Sequence, residues 1–127
     1  MPALRILIID DEELIRVSTQ LCLEMTSDWE VLTASSGREG LVKAETQQPN
    51  AILLDVMMPD MDGLTTLEHL QANPATQHIP VFLLTAKAQP AEQRQFAKLG
   101  VTAVITKPFE PLQLAEQIAE ALARAQG

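Results

Sequence analysis

The sequence predicts an α/β protein in which a doubly wound, five-stranded parallel sheet is covered by helices on both faces. Short apolar segments rich in β-branched residues alternate with longer amphipathic stretches, five times along the 127 residues. Several of the short segments, such as 6–9 and 51–54, are continuously apolar, which is typical of strands buried on both faces. Parallel strands joined by right-handed helical crossovers accommodate this alternation economically in so short a chain.

Five segments are predicted as strands from their apolar, β-branched composition. They are residues 4–9, 30–33, 51–54, 81–84 and 101–105. A polar stretch at residues 73–80 is predicted to be a loop. Doubly wound sheets bind ligands beyond the carboxyl ends of their strands, so functional side chains are expected just after these segments.

The stretches between the strands carry apolar residues at three- and four-residue steps, which is the spacing of a helix face packed on a sheet. Three such faces are predicted to pack on the sheet: Leu14, Val17, Leu21 and Met25; Leu64, Leu67 and Leu70; and Leu114, Ile118 and Leu122.

Start and stop signals place the second and fourth helices. Ser36 followed by Glu39 predicts a capping box, in which a hydroxyl and a carboxylate satisfy backbone N–H groups at the start of the second helix. Residues 49–50, proline and asparagine, mark its end. Pro90 suits the first turn of the fourth helix, and Gly100 suits the left-handed residue that closes it.

Length and composition favour a single domain spanning residues 1–127, with a core of about residues 4–123. Apolar residues make up 46% of the chain, and the single Cys22 cannot form an internal disulfide. The formal net charge of −8 opposes binding to nucleic acid or to an anionic membrane. The sequence carries no signal-peptide pattern and no membrane-spanning run, so we expect a cytoplasmic protein without membrane insertion.

Polar side chains follow four of the five predicted strands. Asp10 and Asp11 follow the first strand, Asp55 the third, Thr85 the fourth and Lys107 the fifth. Three carboxylates at one edge of a sheet repel one another, and one lysine does not balance them, so a divalent cation is expected. Mg²⁺ fits, because it prefers oxygen ligands and is commonly held by one or two carboxylates together with a phosphate.

Asp55 is the best candidate for a nucleophile among these residues. It stands alone at the end of a central strand, whereas Asp10 and Asp11 open a helix. An aspartate can attack phosphorus and form an acyl phosphate. Mg²⁺, Lys107 and the Thr85 hydroxyl would then neutralise and hydrogen-bond the phosphoryl oxygens.

Each of these residues also has a purely structural interpretation. Asp10 and Asp11 suit the acidic start of a helix, where an N-cap and the helix dipole favour carboxylates. Asp55 alone suits a turn, Thr85 a helix cap and Lys107 a solvated surface position. Their convergence at one edge of the sheet favours the functional interpretation.

The segment after the third predicted strand is one of four motif segments spread along the chain. It reads Asp55-Val56-Met57-Met58-Pro59-Asp60-Met61-Asp62-Gly63. With this segment and three others, the chain resembles the receiver domain of two-component response regulators: Ile6-Leu7-Ile8-Ile9-Asp10-Asp11, Leu83-Leu84-Thr85-Ala86 and Lys107-Pro108-Phe109. The motifs are modest singly, but their order and spacing are specific.

The resemblance implies a flavodoxin-like sheet with the strand order 2-1-3-4-5. It also implies the roles of the site residues: Asp55 as phosphoacceptor, Asp10, Asp11, Asp55 and the backbone carbonyl of Met57 as Mg²⁺ ligands, Thr85 as switch hydroxyl and Lys107 as phosphoryl clamp. The implied phosphodonor is a sensor histidine kinase or a histidine phosphotransfer protein. The chain would catalyse only its own phosphorylation and dephosphorylation, and would signal to a downstream protein as a monomer or as a phosphorylation-dependent dimer.

The expected function is that of a stand-alone receiver, because only residues 123–127 follow the fifth predicted helix. The alternative is a phosphorylation-independent interaction module with the same fold. Val104 is one sign of drift toward this alternative, because many receivers place there an aromatic rotamer switch coupled to the threonine. The retention of all five polar groups at the strand ends opposes it. An aspartate-nucleophile phosphatase is opposed by Met57, where such enzymes usually have a second acid. A flavodoxin-like electron carrier is opposed by the 3% aromatic content and by the lack of a phosphate-binding loop after the first strand.

Overall fold

The computed structural model of the chain describes residues 4–26, 28–56, 63–86, 89–106 and 110–126. In these residues, five strands alternate with five helices, as the sequence predicts. The strands are β1 (Arg5–Ile9), β2 (Glu30–Ala34), β3 (Ala51–Asp55), β4 (Val81–Thr85) and β5 (Ala103–Thr106). The helices are α1 (Glu13–Thr26), α2 (Gly37–Gln47), α3 (Gly63–Ala72), α4 (Pro90–Ala97) and α5 (Pro111–Gln126).

The strands form one parallel sheet in the order β2-β1-β3-β4-β5. This order confirms the doubly wound, flavodoxin-like fold. β1 lies between β2 and β3, and Ile9 pairs with Ala34 on one side and with Leu54 on the other. The carboxyl ends of the strands therefore reach the same edge of the sheet. The strand order reverses between β1 and β3, which is where doubly wound sheets bind ligands.

Both faces of the sheet are buried. In β1, Leu7 and Ile9 belong to one core cluster and Ile6 and Ile8 to the other, and all four are at most 1% exposed. α2, α3 and α4 cover the first face, whereas α1 and α5 cover the second. Each fully buried Leu or Ile side chain contributes about 1.5–3 kcal/mol relative to an exposed one. The strands that carry the polar residues at their ends are therefore held firmly on both sides.

The predicted inward faces of α3 and α5 are confirmed. Leu67 and Leu70 of α3 are at most 2% exposed, and Leu114, Ile118 and Leu122 of α5 are at most 6% exposed. Over the described residues, none of the helices combines the length and the hydropathy needed to cross a membrane.

The predicted inward face of α1 is wrong. Leu14, Leu21 and Met25 are 79%, 52% and 83% exposed, and Val17 is 41% exposed. The helix packs against the core with Leu23 instead, which is fully buried. α1 carries apolar side chains on two sides, and three- and four-residue spacing does not tell which side faces the sheet. The four exposed residues are called the α1 stripe below.

The start of α2 is capped largely as predicted. The Ser36 hydroxyl accepts a hydrogen bond from the N–H of Glu39 at 3.1 Å. The carboxylate of Glu39 accepts from the N–H and the hydroxyl of Ser35, so it also satisfies a backbone N–H group, one residue before the N-cap. At the other end, Gln48 follows the helix in the left-handed conformation, with φ of 49°.

Pro90 begins α4 as predicted. The helix ends at Ala97, earlier than the predicted stop at Gly100. Gly100 lies in the following turn and has a φ of 80°, a conformation that glycine adopts without steric cost. β5 begins at Ala103, two residues later than predicted. Just before it, the N–H of Thr102 donates to the backbone carbonyl of Val81 in β4.

Glu39 also pairs with Lys43, one turn later in α2, at 3.2 Å. The Lys43 ammonium in turn donates to the backbone carbonyl of Thr33 in β2. Hydrogen bonds from Ser35, with a smaller contribution from Lys43, lower the pKa of Glu39 below its ordinary value of 4.5. The network therefore links the first turn of α2 to the carboxyl half of β2.

We predict that Glu39→Gln lowers the stability of the protein at neutral pH and that this loss disappears in acid. The pKa of Glu39 is lower in the folded protein than in the unfolded chain, so its ionised form stabilises the fold above pH 4.5. That stabilisation is lost as the pH falls through the lowered value. Urea unfolding at neutral pH and at about pH 3 measures the difference.

Glu45→Gln is the matched control, because Glu45 lies on the exposed surface of the same helix. A penalty for Glu39→Gln that is as large in acid as at neutral pH would contradict the prediction.

Candidate functional site

Three carboxylates meet at the carboxyl edge of the sheet. Asp10 and Asp11 follow β1, and Asp55 is the last residue of β3. A carboxylate oxygen of each residue lies within 4.8 Å of the others. Within the described residues, they form the one group of three or more His, Cys, Asp or Glu side chains with the spacing to hold a metal ion. The structure thus brings together the three acidic residues that the sequence places at this edge.

The register of the sheet brings Asp10 and Asp55 side by side. Ile9 pairs with Leu54, so the next positions along the two strands are residues 10 and 55. The N–H of Asp10 also donates to the carbonyl oxygen of Ala34, at the end of β2, at 3.1 Å. Backbone pairing on both sides therefore fixes the start of the turn that carries Asp10.

The turn between β1 and α1 is held by two further hydrogen bonds at Asp10. Its Oδ1 accepts from the N–H of Glu12 at 3.0 Å, and its backbone carbonyl accepts from Nη1 of Arg16 at 2.9 Å. Asp10 therefore forms an Asx turn ahead of α1 and lies in the carboxylate cluster as well. Arg16 is absent from the site predicted from the sequence, although it is the one basic residue of α1.

The cluster combines burial with like charge. Asp10 and Asp55 are 0% and 1% exposed, whereas Asp11 is more open to solvent. Two carboxylates at this separation repel each other by about 3 kcal/mol at an effective dielectric constant of ~20. Asp11 Oδ1 is buried and has no hydrogen-bond partner among the described residues. Closely spaced carboxylate oxygens are the ligands that a hard divalent cation prefers, so the residues fit Mg²⁺.

Thr85 lies at the same edge and is fully buried. Asp55 pairs with Leu84 and Thr85 pairs with Thr106, so Thr85 is one position beyond Asp55 on the neighbouring strand. Ala86 follows Thr85 and is exposed.

Two predicted site residues, Met57 and Lys107, lie outside the described residues, as do the motif segments 58–59 and 108–109. In the sequence, Lys107 directly follows the last residue of β5, and Met57 comes two residues after β3. The roles of both residues stay predictions.

Gly63 begins α3 in direct contact with the backbone of β3. A Cβ atom at Gly63 would overlap the carbonyl oxygen of Asp55 and would lie 2.6 Å from the Cα of Val56. The N–H of Gly63 donates to the carbonyl of Val56 at 3.0 Å. A residue without a side chain is required for α3 to start this close to Asp55. Sequence reasoning placed Gly63 in a motif but did not find this contact.

Comparison with known proteins identifies a family. A family model described as response regulator receiver domain matches residues 6–119. The alkaline phosphatase synthesis transcriptional regulatory protein PhoP of Bacillus subtilis is 38% identical over 122 residues, which are 96% of this chain and 50% of PhoP. The chain spans about half the length, or less, of the curated relatives that it matches.

Solved structures agree with this match. A CheY-like response regulator receiver domain protein from Methanospirillum hungatei has a TM-score of 0.87 and 33% identity, and the alignment covers 98% of both chains. The chemotaxis response regulator CheY4 of Vibrio cholerae has a TM-score of 0.86 and 28% identity, covering 94% of this chain and 99% of CheY4.

We predict that Gly63→Ala destabilises the fold by about 2–3 kcal/mol, because the added methyl group meets backbone atoms that cannot move without opening the end of β3. Urea unfolding measures the change. Gly40→Ala is the matched control in α2, since its Cβ would meet only side-chain atoms of Ile9. We expect it to cost less than Gly63→Ala, because a side chain can shift where backbone atoms cannot and the gain in helix propensity offsets part of the crowding. Equal penalties for the two variants would contradict the prediction.

Proposed function

The chain belongs to the response regulator receiver domain family of two-component signalling, and we propose that it accepts a phosphoryl group on Asp55 from a histidine-phosphorylated donor. One observation carries the proposal. Asp55 is buried at the end of the central strand, with carboxylate oxygens of Asp10 and Asp11 within 4.8 Å. Of the three, Asp55 is the residue that belongs to a strand, and its position is fixed by pairing with Leu84 of β4 and by the pairing of the preceding Leu54 with Ile9 of β1.

Asp10, Asp11 and Asp55, together with the backbone carbonyl of Met57, would hold Mg²⁺. When bound, the ion neutralises charge on the carboxylates and on the phosphoryl oxygens. The buried Asp11 Oδ1, which lacks a hydrogen-bond partner among the described residues, supports this assignment, since it is an oxygen available to such a ligand.

Phosphoryl transfer would begin with attack of a carboxylate oxygen of Asp55 on phosphorus. The new oxygen–phosphorus bond forms as the bond from phosphorus to the donor's imidazole nitrogen breaks, and the electron pair leaves with the imidazole. The Thr85 hydroxyl, one position beyond Asp55 on the next strand, would donate to a phosphoryl oxygen. The Lys107 ammonium, directly after β5, would pair with another phosphoryl oxygen.

The donor would dock on the α1 stripe. The stripe begins at Leu14, three residues after Asp11, and runs about 16 Å along the helix to Met25. Its three- and four-residue steps match the spacing by which a second helix packs. A donor helix laid along α1 would therefore have one end beside the carboxylate cluster. Contiguous exposed apolar surface of this kind commonly marks an interaction site.

The phosphorylated chain would signal by a shift in its conformational equilibrium that changes its affinity for a downstream protein. It would act as a monomer or as a phosphorylation-dependent dimer. The relative PhoP is named as a transcriptional regulatory protein, but this chain carries a formal net charge of −8, which opposes direct contact with nucleic acid. Contact with nucleic acid by these residues is therefore not part of the proposal.

We predict that acetyl phosphate with Mg²⁺ adds one phosphoryl group to the protein and that Asp55→Asn abolishes the adduct, because an amide cannot form the acyl phosphate. Intact-protein mass spectrometry, with and without Mg²⁺, measures the adduct. Asp28→Asn is the control, since it removes the same charge from an exposed position before β2, at the opposite edge of the sheet. We expect it to behave as the wild type.

An adduct that persists in Asp55→Asn would refute the assignment of the phosphoacceptor. A wild-type protein that binds Mg²⁺ but forms no adduct would favour the phosphorylation-independent interaction module.

We predict that Leu21→Ser slows phosphotransfer from a histidine kinase by about tenfold, as loss of a central interface side chain does, and leaves phosphorylation by acetyl phosphate unchanged. For this assay, we would choose a histidine kinase that phosphorylates the wild-type chain. Val42→Ser is the control, because Val42 is 61% exposed on α2, at the other face of the sheet. A similar loss with both donors, or the same loss in Val42→Ser, would show that the α1 stripe is not the docking surface.

A further inference from the structure

We propose that Arg16 is a positioning residue of the carboxylate cluster: its guanidinium fixes the peptide between Asp10 and Asp11, and thereby sets the Asp11 carboxylate for cation binding. The inference rests on the Mg²⁺ site of the proposed function. It concerns binding of the cation alone, so it is tested without phosphorylation.

Arg16 reaches back over the first turn of α1 to the end of β1. Its Nη1 donates to the backbone carbonyl of Asp10 at 2.9 Å, across six residues and in a partly buried setting. A charged donor makes this bond stronger than an ordinary bond between neutral groups. The carbonyl of Asp10 is thus held by a side chain of the helix that follows it.

Asp10 and Asp11 differ in how each is held. Asp10 is fixed at its N–H by Ala34, at Oδ1 by the N–H of Glu12 and at its carbonyl by Arg16. The Oδ1 of Asp11 is buried and has no hydrogen-bond partner in the described parts of the chain. Hydrogen bonds at this oxygen therefore do not place the Asp11 carboxylate. The backbone that carries the carboxylate therefore takes a larger part in placing it than it does at Asp10.

The orientation of that backbone depends on the bond from Arg16. A trans peptide is planar, so the carbonyl of Asp10 and the N–H of Asp11 point in opposite directions. With the carbonyl held by Arg16, this peptide cannot rotate, and the Cα of Asp11 keeps its place beside Asp10 and Asp55. Without the bond, the peptide gains freedom, and ordering it again when the cation binds costs affinity.

The positive charge of Arg16 lowers the Mg²⁺ affinity, whereas its hydrogen bond raises it. A guanidinium next to the cluster offsets part of its negative charge, so by charge alone Arg16 weakens the binding of a divalent cation. Loss of the positioning bond and loss of the charge therefore change the Mg²⁺ affinity with opposite signs. A third possibility, that Arg16 only stabilises α1, changes the free energy of unfolding but leaves the affinity as it is.

The test is the Kd of Mg²⁺, measured by isothermal titration calorimetry at fixed ionic strength, for Arg16→Gln and Arg16→Met. Both side chains are neutral, and neither can make the charge-assisted bond. We expect the Kd to rise about fivefold in each, the size of effect expected when part of one hydrogen bond to a charged group is lost. Having two loss variants keeps the test decisive if one of them folds poorly.

Two further variants separate position from charge. Arg16→Lys keeps the charge and a donor on a shorter side chain, and we expect its Kd to lie between those of the wild type and Arg16→Gln. Arg38→Gln removes one positive charge from an exposed position in the first turn of α2, and we expect a Kd equal to or slightly below that of the wild type. Urea unfolding without Mg²⁺ shows whether each variant is folded.

A second readout uses the phosphorylation rate with acetyl phosphate as a function of Mg²⁺ concentration. We expect Arg16→Gln to raise the half-saturating Mg²⁺ concentration by the same factor and to leave the rate at saturating Mg²⁺ unchanged, since Arg16 does not touch the reacting groups.

A Kd for Arg16→Gln or Arg16→Met that is unchanged or lower than that of the wild type would overturn the proposal, in favour of a structural or a purely electrostatic role. Failure of the proposed function has a different signature. In that case, the wild type would bind Mg²⁺ but form no phosphoryl adduct. The Mg²⁺ Kd of Arg16→Gln relative to that of the wild type would still decide the role of Arg16.

Discussion

Crowding of like charges at the carboxyl edge of the sheet is the constraint on which the rest of the structure depends. Three carboxylates whose oxygens lie within 4.8 Å of one another oppose folding. They cannot move apart, because Asp10 and Asp55 are joined to the buried segments 6–9 and 51–54, whose residues are at most 1% exposed. Separating the charges would mean opening the apolar core, which costs more than the repulsion relieved. A cation would relieve the repulsion without moving a strand, so the carboxylate cluster fits one as it stands.

The fold was predictable from the sequence almost in full, because each strand follows from a local rule. An apolar run such as 51–54 marks a strand buried on both faces, and alternation with amphipathic stretches marks a parallel sheet. The rotation of α1 was not predictable in this way. α1 packs against α5 as well as against the sheet, so two neighbours decide that Leu23 faces inward and Leu21 outward. The spacing of residues within one helix contains no information about those neighbours.

In the candidate site too, features set by the local sequence were predictable and features set by packing between elements were not. The carboxylates of Asp10, Asp11 and Asp55 could be located because each is among the first polar residues at the end of an apolar run, and parallel strands end at one edge. The bond from Arg16 and the backbone contact of Gly63 could not, because both depend on how a helix is set against the end of a strand. Sequence reasoning therefore finds the groups that would react and misses the groups that hold them in position.

The residue at position 104 limits how a change at the site can reach the surface. Val104 is partly buried against the core cluster that contains Phe96, and a valine has one side-chain torsion and no ring that could swing between a buried and an exposed position. The aromatic rotamer relay from Thr85 that many receivers have at this position is therefore not possible in this chain. The chain after Thr85 leads instead to α4, whose carboxyl end is held by Phe96 in the core and by a hydrogen bond from Gln71 to the carbonyl of Leu99 at 2.6 Å. We therefore expect phosphorylation of Asp55 to change the amide NMR signals of α4, and signals that change only near Asp55 would show that the state of the site does not reach this helix.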